Sequence, residues 1–143
     1  MKKLILTSLA VLFAFVSIGF ASSKVLNSPK KTNHKAAIAN LLVGLNSDNY
    51  GLRTSCAFML GELKASQAVI PLMKMLHSEK SEDARIVAAL SLYKIGNPVG
   101  IFAVKQAGRF DDSERVRKMC SNFYVNFQQK ETTSASDLFY GWL

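Results

Sequence analysis

The chain has only two histidines, and neither has a carboxylate three or four residues away, the spacing that puts two metal ligands on one helix face. No glycine-rich phosphate loop is present. The serines are scattered over helix starts and linkers, with no histidine placed to activate one. Metal, nucleotide and nucleophile–base chemistry are thereby excluded as readings of these residues; the expectation is a protein that is not an enzyme and takes no cofactor. Acidic residues are the scarcer sign, 10 Asp plus Glu against 18 Lys plus Arg, for a net charge of +8. This excess favours acidic partners without choosing among acidic protein, lipid head group, envelope polymer and nucleic acid.

Beyond the N-terminus, long apolar runs are also missing. The one that exists, Leu4 to Ile18, follows Lys2 and Lys3 and ends in Gly19-Phe20-Ala21, with small residues at −3 and −1 as a signal peptidase requires. It falls short of the roughly 20 residues of a spanning helix. We read residues 1–21 as a cleaved secretory signal of bacterial type, a retained anchor being the alternative. No cysteine follows the run, which speaks against a lipid-modified N-terminus. The expected location is periplasmic or secreted, with no membrane span after cleavage, and export argues against nucleic acid. Loss of Lys2 and Lys3 takes the net charge from +8 to +6. Residues 22–34 form a basic linker holding Lys24, Lys30 and Lys31.

What the sequence does have is a repeat. Arg53, Arg85 and Arg117 stand 32 residues apart. Asn49, Ser81 and Ser113 form a column four residues earlier, each able to accept from the free N–H groups that open a helix. Leu52, Ala84 and Val116; Ala57, Ala89 and Ser121; Leu60, Leu92 and Tyr124; and Leu63, Ile95 and Phe127 fall into the same register. Within a unit the apolar residues recur every three or four positions, as in Leu52, Cys56, Met59 and Leu63 or Val116, Cys120, Phe123 and Phe127, which predicts an amphipathic helix. A break follows at Lys64-Ala65-Ser66 or Gly96-Asn97-Pro98, where glycine suits a helix exit, asparagine a cap and proline a first turn. Second helices then run through Val69–Leu76 and Ile101–Ala107, in a register of 31 that aligns Lys74 with Lys105. Residues 36–45 read as a second helix without its first, and 114–130 as a first helix without its second.

This pattern resembles the HEAT repeat family over roughly residues 35–128, through the cap, the Leu52-Arg53, Ala84-Arg85 and Val116-Arg117 steps, and the alanine and leucine that follow. The resemblance implies an all-α fold, a short right-handed α-solenoid of about three stacked hairpins spanning residues 35–130. It also implies an aspartate before the first helix, met by Asp48 and Asp112 with Lys80 between them, and a structural ladder in which Arg53, Arg85 and Arg117 bond the turn carboxylates Asp48 and Asp112. The other reading of the arginines is a basic binding stripe. Second helices in such arrays line the concave side, which here carries Lys74, Met75, Lys105, Gln106 and Arg109 as candidate partner-binding residues; a solvated face is the competing reading.

Cys56 and Cys120 both map onto Ala88, two units apart and so about 20 Å from one another at helix packing distances. They are expected as free thiols in the core, because a bridge needs Cα atoms within about 7 Å. The tail, residues 131–143, ends in Leu138, Phe139, Tyr140, Trp142 and Leu143 after a Ser/Thr-rich link; the expectation is that Phe139 and Trp142 fold back as a cap, the alternative being a free docking peptide. The function expected is a scaffold that binds another envelope protein. An accessory to an enzyme or chromophore pathway, as HEAT-like lyases are, and a binder of an anionic envelope ligand stay open beside it.

Overall fold

The computed structural model of the protein describes residues 34–140, with side chains through residue 133. The signal segment 1–21, the linker up to residue 33 and the terminal Trp142 and Leu143 lie outside the described residues. Six α-helices and no strand are found among the described residues: α1 (His34–Gly44), α2 (Tyr50–Glu62), α3 (Val69–Ser78, entered through a 3-10 turn at Ser66–Ala68), α4 (Glu82–Ile95), α5 (Pro98–Phe110) and α6 (Glu114–Tyr140).

Short polar side chains start these helices where the repeat puts them. Asn49 accepts from the Leu52 N–H at 3.0 Å, Ser81 from Ala84 at 3.4 Å and Ser113 from Val116 at 3.3 Å, each satisfying a donor that the first helical turn leaves over. Between α4 and α5, Gly96 takes a left-handed φ of 72°, which favours a residue without Cβ; Asn97 then caps α5 by accepting from Val99 at 2.9 Å, and Pro98 occupies its first turn.

The first helices α2, α4 and α6 lie side by side in one layer, while α3 and α5 pack beside each other and onto α4. Ala57, Leu60, Leu72, Ala84, Ala88, Ala89, Leu92, Val104 and Val116 fill the space between the layers and have no exposed surface. Close approach depends on small residues. A Cβ on Gly61 of α2 would lie 2.7 Å from the backbone of Ser91 in α4, so the two helices meet where no larger residue fits. Ser91 is itself fully buried and donates to the Val87 carbonyl at 2.9 Å, leaving no unpaired polar atom in the contact.

Burial within one column depends on where the unit stands. Ala84 and Val116 are fully buried, while Leu52 in the same column is 49% exposed; Ser91 is buried, while Met59 of that column is 45% exposed. For Ser91 the cover is Gly61 of the preceding first helix. No first helix precedes α2 among the described residues.

Two expectations are corrected. The second helices keep the 32-residue register: Val69 and Ile101, Leu72 and Val104 are the buried pairs, while Ile70 and Phe102 are the exposed one. Lys74 therefore corresponds to Gln106 and Met73 to Lys105, and the two lysines do not form a ridge. Further, α6 runs unbroken through the Ser/Thr-rich stretch, where the Thr132 and Thr133 hydroxyls donate to the carbonyls of Gln128 and Gln129 at 2.9 and 3.0 Å. The chain does not turn back there, and Phe139 is carried on the helix it was expected to cap.

Candidate functional site: the arginine ladder and the second-helix cleft

Each arginine of the repeat sits on the first turn of a first helix and reaches back along the backbone. Arg53 Nη1 donates to the carbonyls of Ser47 and Asp48 at 2.8 and 3.0 Å, Arg85 Nη1 to those of Glu79 and Lys80 at 2.9 and 3.2 Å, and Arg117 Nη1 to those of Asp111 and Asp112 at 2.6 and 3.0 Å. The other edge of the fork takes a carboxylate from the next turn. Arg53 grips Glu79 through Nε and Nη2 at 2.8 and 3.3 Å, and Arg85 grips Asp111 through the same atoms at 2.9 Å each. These bonds raise both guanidinium pKa values, with desolvation opposing them. The carboxylates are therefore Glu79 and Asp111, 26 residues beyond their arginines; Asp48 and Asp112 contribute backbone carbonyls instead. The signal for this was in the sequence, since Glu79 and Asp111 are themselves 32 residues apart.

The second helices present a stripe at i, i+4 and i+7 that points away from the first-helix layer: Ile70, Lys74 and His77 on α3, and Phe102, Gln106 and Arg109 on α5. Ile70 is 67% exposed, Phe102 58% and Phe110, two turns further along α5, 74%. Between the two helices lies a cleft of about 760 Å³ with Met73 and His77 on one wall, Phe102, Gln106 and Phe110 on the other, and the Arg85–Asp111 pair at one end. Its lining mixes apolar Met73, Phe102, Ala103 and Phe110 with polar His77 and Gln106; Lys80 lines it together with Glu79, Asp111 and Asp112, while Lys74 and Arg109 stand on the neighbouring stripe. Of the residues expected to meet a partner, Lys74, Gln106 and Arg109 lie on this stripe. Met75 does not: only 7% of it is exposed, and it belongs to the core. Lys105 turns toward α6, its Nζ 5.2 Å from the centre of the Tyr124 ring, where a cation–π contact holds it. Ile70, Phe102 and Phe110 carry most of the exposed apolar area here and were not singled out from sequence.

Cys56 and Cys120 are free and buried. Burial, with the charge of Asp111 adding to it, pushes the Cys120 thiol from 9.0 up to about 12, so the thiolate that reactivity needs is suppressed. Among the described residues no three His, Cys, Asp or Glu side chains are grouped to hold a metal ion, and no helix is long and apolar enough to cross a membrane.

Comparison with known proteins agrees with this architecture. No curated protein matches the chain. The family described as HEAT repeats matches residues 33–121, well over half of the sequence and the same span in which the capped hairpins and the arginine ladder are built. The chain belongs to the HEAT repeat family.

Proposed function

We propose that this protein is an exported HEAT scaffold that binds another envelope protein along its second helices and catalyses no reaction itself. HEAT repeats generally mediate protein–protein interaction. The observation that carries the reading is the exposure of Phe102 and Phe110 on one cleft, with Ile70 exposed on the adjoining stripe, since large apolar side chains gathered at a groove mark an interaction surface where scattered ones do not. Of the acidic residues lining the cleft, Glu79 and Asp111 are already paired with Arg53 and Arg85, so Lys80 in the lining and Lys74 and Arg109 on the stripe beside it outweigh Asp112 and favour a partner segment that is apolar at its centre and acidic at its edges. The address rests on residues 1–21, whose charged start, apolar run and small-residue exit are those of a secretory signal.

The test is capture from an envelope fraction with the parent and with a Phe102→Ser, Phe110→Ser variant. Both positions are exposed, so the variant is expected to keep its melting temperature. A protein recovered by the parent, absent with the variant, and binding again when both components are purified supports the reading. Equal recovery by parent and variant removes the cleft from it. Export is checked separately, by fractionation and by the mass of the N-terminal peptide: a chain in the envelope or medium beginning at residue 22 is expected, an envelope chain still beginning at residue 1 replaces cleavage by a retained anchor, and recovery in the cytoplasm alone overturns the address.

A further inference from the structure

We propose that copies of this chain join head to tail, the α6 end of one receiving the α1–α2 end of the next. This contact lies at the ends of the array and does not rest on the second-helix cleft. The first observation is a periodic bond with one member missing. Arg53 and Arg85 each hold the carbonyls of their own turn with Nη1 and a carboxylate of the following turn with Nε and Nη2. Arg117 keeps the first half, at 2.6 and 3.0 Å to Asp111 and Asp112, but no carboxylate among the described residues meets its other edge. Its guanidinium is already oriented as its two predecessors are, so a carboxylate arriving there meets a preorganised fork.

The helices specify the turn that would deliver that carboxylate. Among the described residues α6 is a first helix with no second, and α1 a second helix with no first. Together, α6 of one copy and α1 of the next complete a hairpin unit, and the α1–α2 turn then stands beside Arg117 as the Glu79 turn stands beside Arg53. That turn carries Asp48, one position beyond the column of Glu79 and Asp111; its carbonyl is bonded to Arg53, while its carboxylate takes no hydrogen bond among the described residues.

The apolar surfaces give independent support. Gly61 of α2 meets Ser91 of α4, and Tyr93 of α4 stacks on Phe123 of α6 with ring centres 5.7 Å apart, so one column of each first helix covers another column of the next. Continued by one unit, the same pairing brings Val125 onto Met59 of a second copy. Both are exposed, at 48% and 45%, and Leu52 beside Met59 is exposed as well. Such an interface joins unlike faces and does not close on itself as a two-fold dimer does.

The experiment is sedimentation velocity over a concentration series with the protein as its host processes it. The parent is expected to grow beyond monomer mass as concentration rises. Met59→Lys and Val125→Lys, both at exposed positions that leave the fold intact, are each expected to weaken association about tenfold or more. Mixed in equal amounts, the two restore one complementary interface and give a heterodimer. Asp48→Asn is expected to weaken association in the same direction. A parent that stays monomeric throughout, variants that associate as the parent does, or a mixture that stays monomeric would each overturn the proposal.

Discussion

Arg85 shows how one side chain joins two units. Its Nη1 closes the turn before α4 and its Nε and Nη2 take both oxygens of Asp111, which lies 26 residues on in the turn before α6. The two side chains are only 12% and 9% exposed, so water does little to replace either partner once the other is gone. Arg85→Ala leaves the Asp111 carboxylate with only the Ser113 N–H at 2.9 Å and takes a donor from two backbone carbonyls, and we expect a loss of roughly 1–3 kcal/mol in urea unfolding. Arg85→Lys should recover only part of it, because an ammonium cannot span both oxygens as the planar fork does. Unchanged stability in Arg85→Ala would reduce the ladder to a surface decoration. Arg53, whose pair with Glu79 is more open to water, is expected to matter less.

Between elements, the approach of α2 to α4 is set by what is absent from Gly61. Adding one methyl group puts a carbon 2.7 Å from the Ser91 backbone and 2.8 Å from its Cβ, and backbone cannot swing aside as the end of a long side chain can. Gly61→Ala is therefore expected to cost roughly 1–3 kcal/mol despite the better helix propensity of alanine, measured as a lowered midpoint in chemical denaturation. A variant as stable as the parent would mean that α2 and α4 have room to separate. Outside this contact the same two helices are bridged by Lys94, which pairs with Glu62 and lies 4.7 Å from the centre of the Phe58 ring, an exposed contact that adds little by comparison.

Across the whole molecule, stability follows position in the stack. α4 packs against α2, α3, α5 and α6, whereas α1 has substantial contact with α2 alone. Opening α1 costs one interface, and opening α4 costs four, so native-state hydrogen exchange is expected to be slowest in Glu82–Ile95 and fastest in His34–Gly44. Equal protection in both helices would show that the array opens only as one unit. The same one-dimensional logic explains why Leu52 and Met59 are exposed although they share columns with buried residues. A terminal unit shows the surface that its neighbours spend on each other.

The sequence by itself determined where helices start, their caps, the hairpin breaks and the 32-residue register of the first helices, because each depends on chemistry within a turn or two of the residue concerned. Asn49, Ser81, Gly96 and Asn97 act on their immediate backbone, and the apolar period needs only one helix to be read. Tertiary structure decided which carboxylates complete the ladder and which side of each second helix faces outward. Glu79 and Asp111 reach their arginines only after a hairpin has folded across the intervening 26 residues, so no local rule prefers them to Asp48 and Asp112. The facing of α3 and α5 is equally non-local. A shift of one residue turns a helix by about 100°, enough to carry Met75 into the core and Lys105 onto Tyr124. Only the packing of the second helices onto the first chose between registers of 31 and 32.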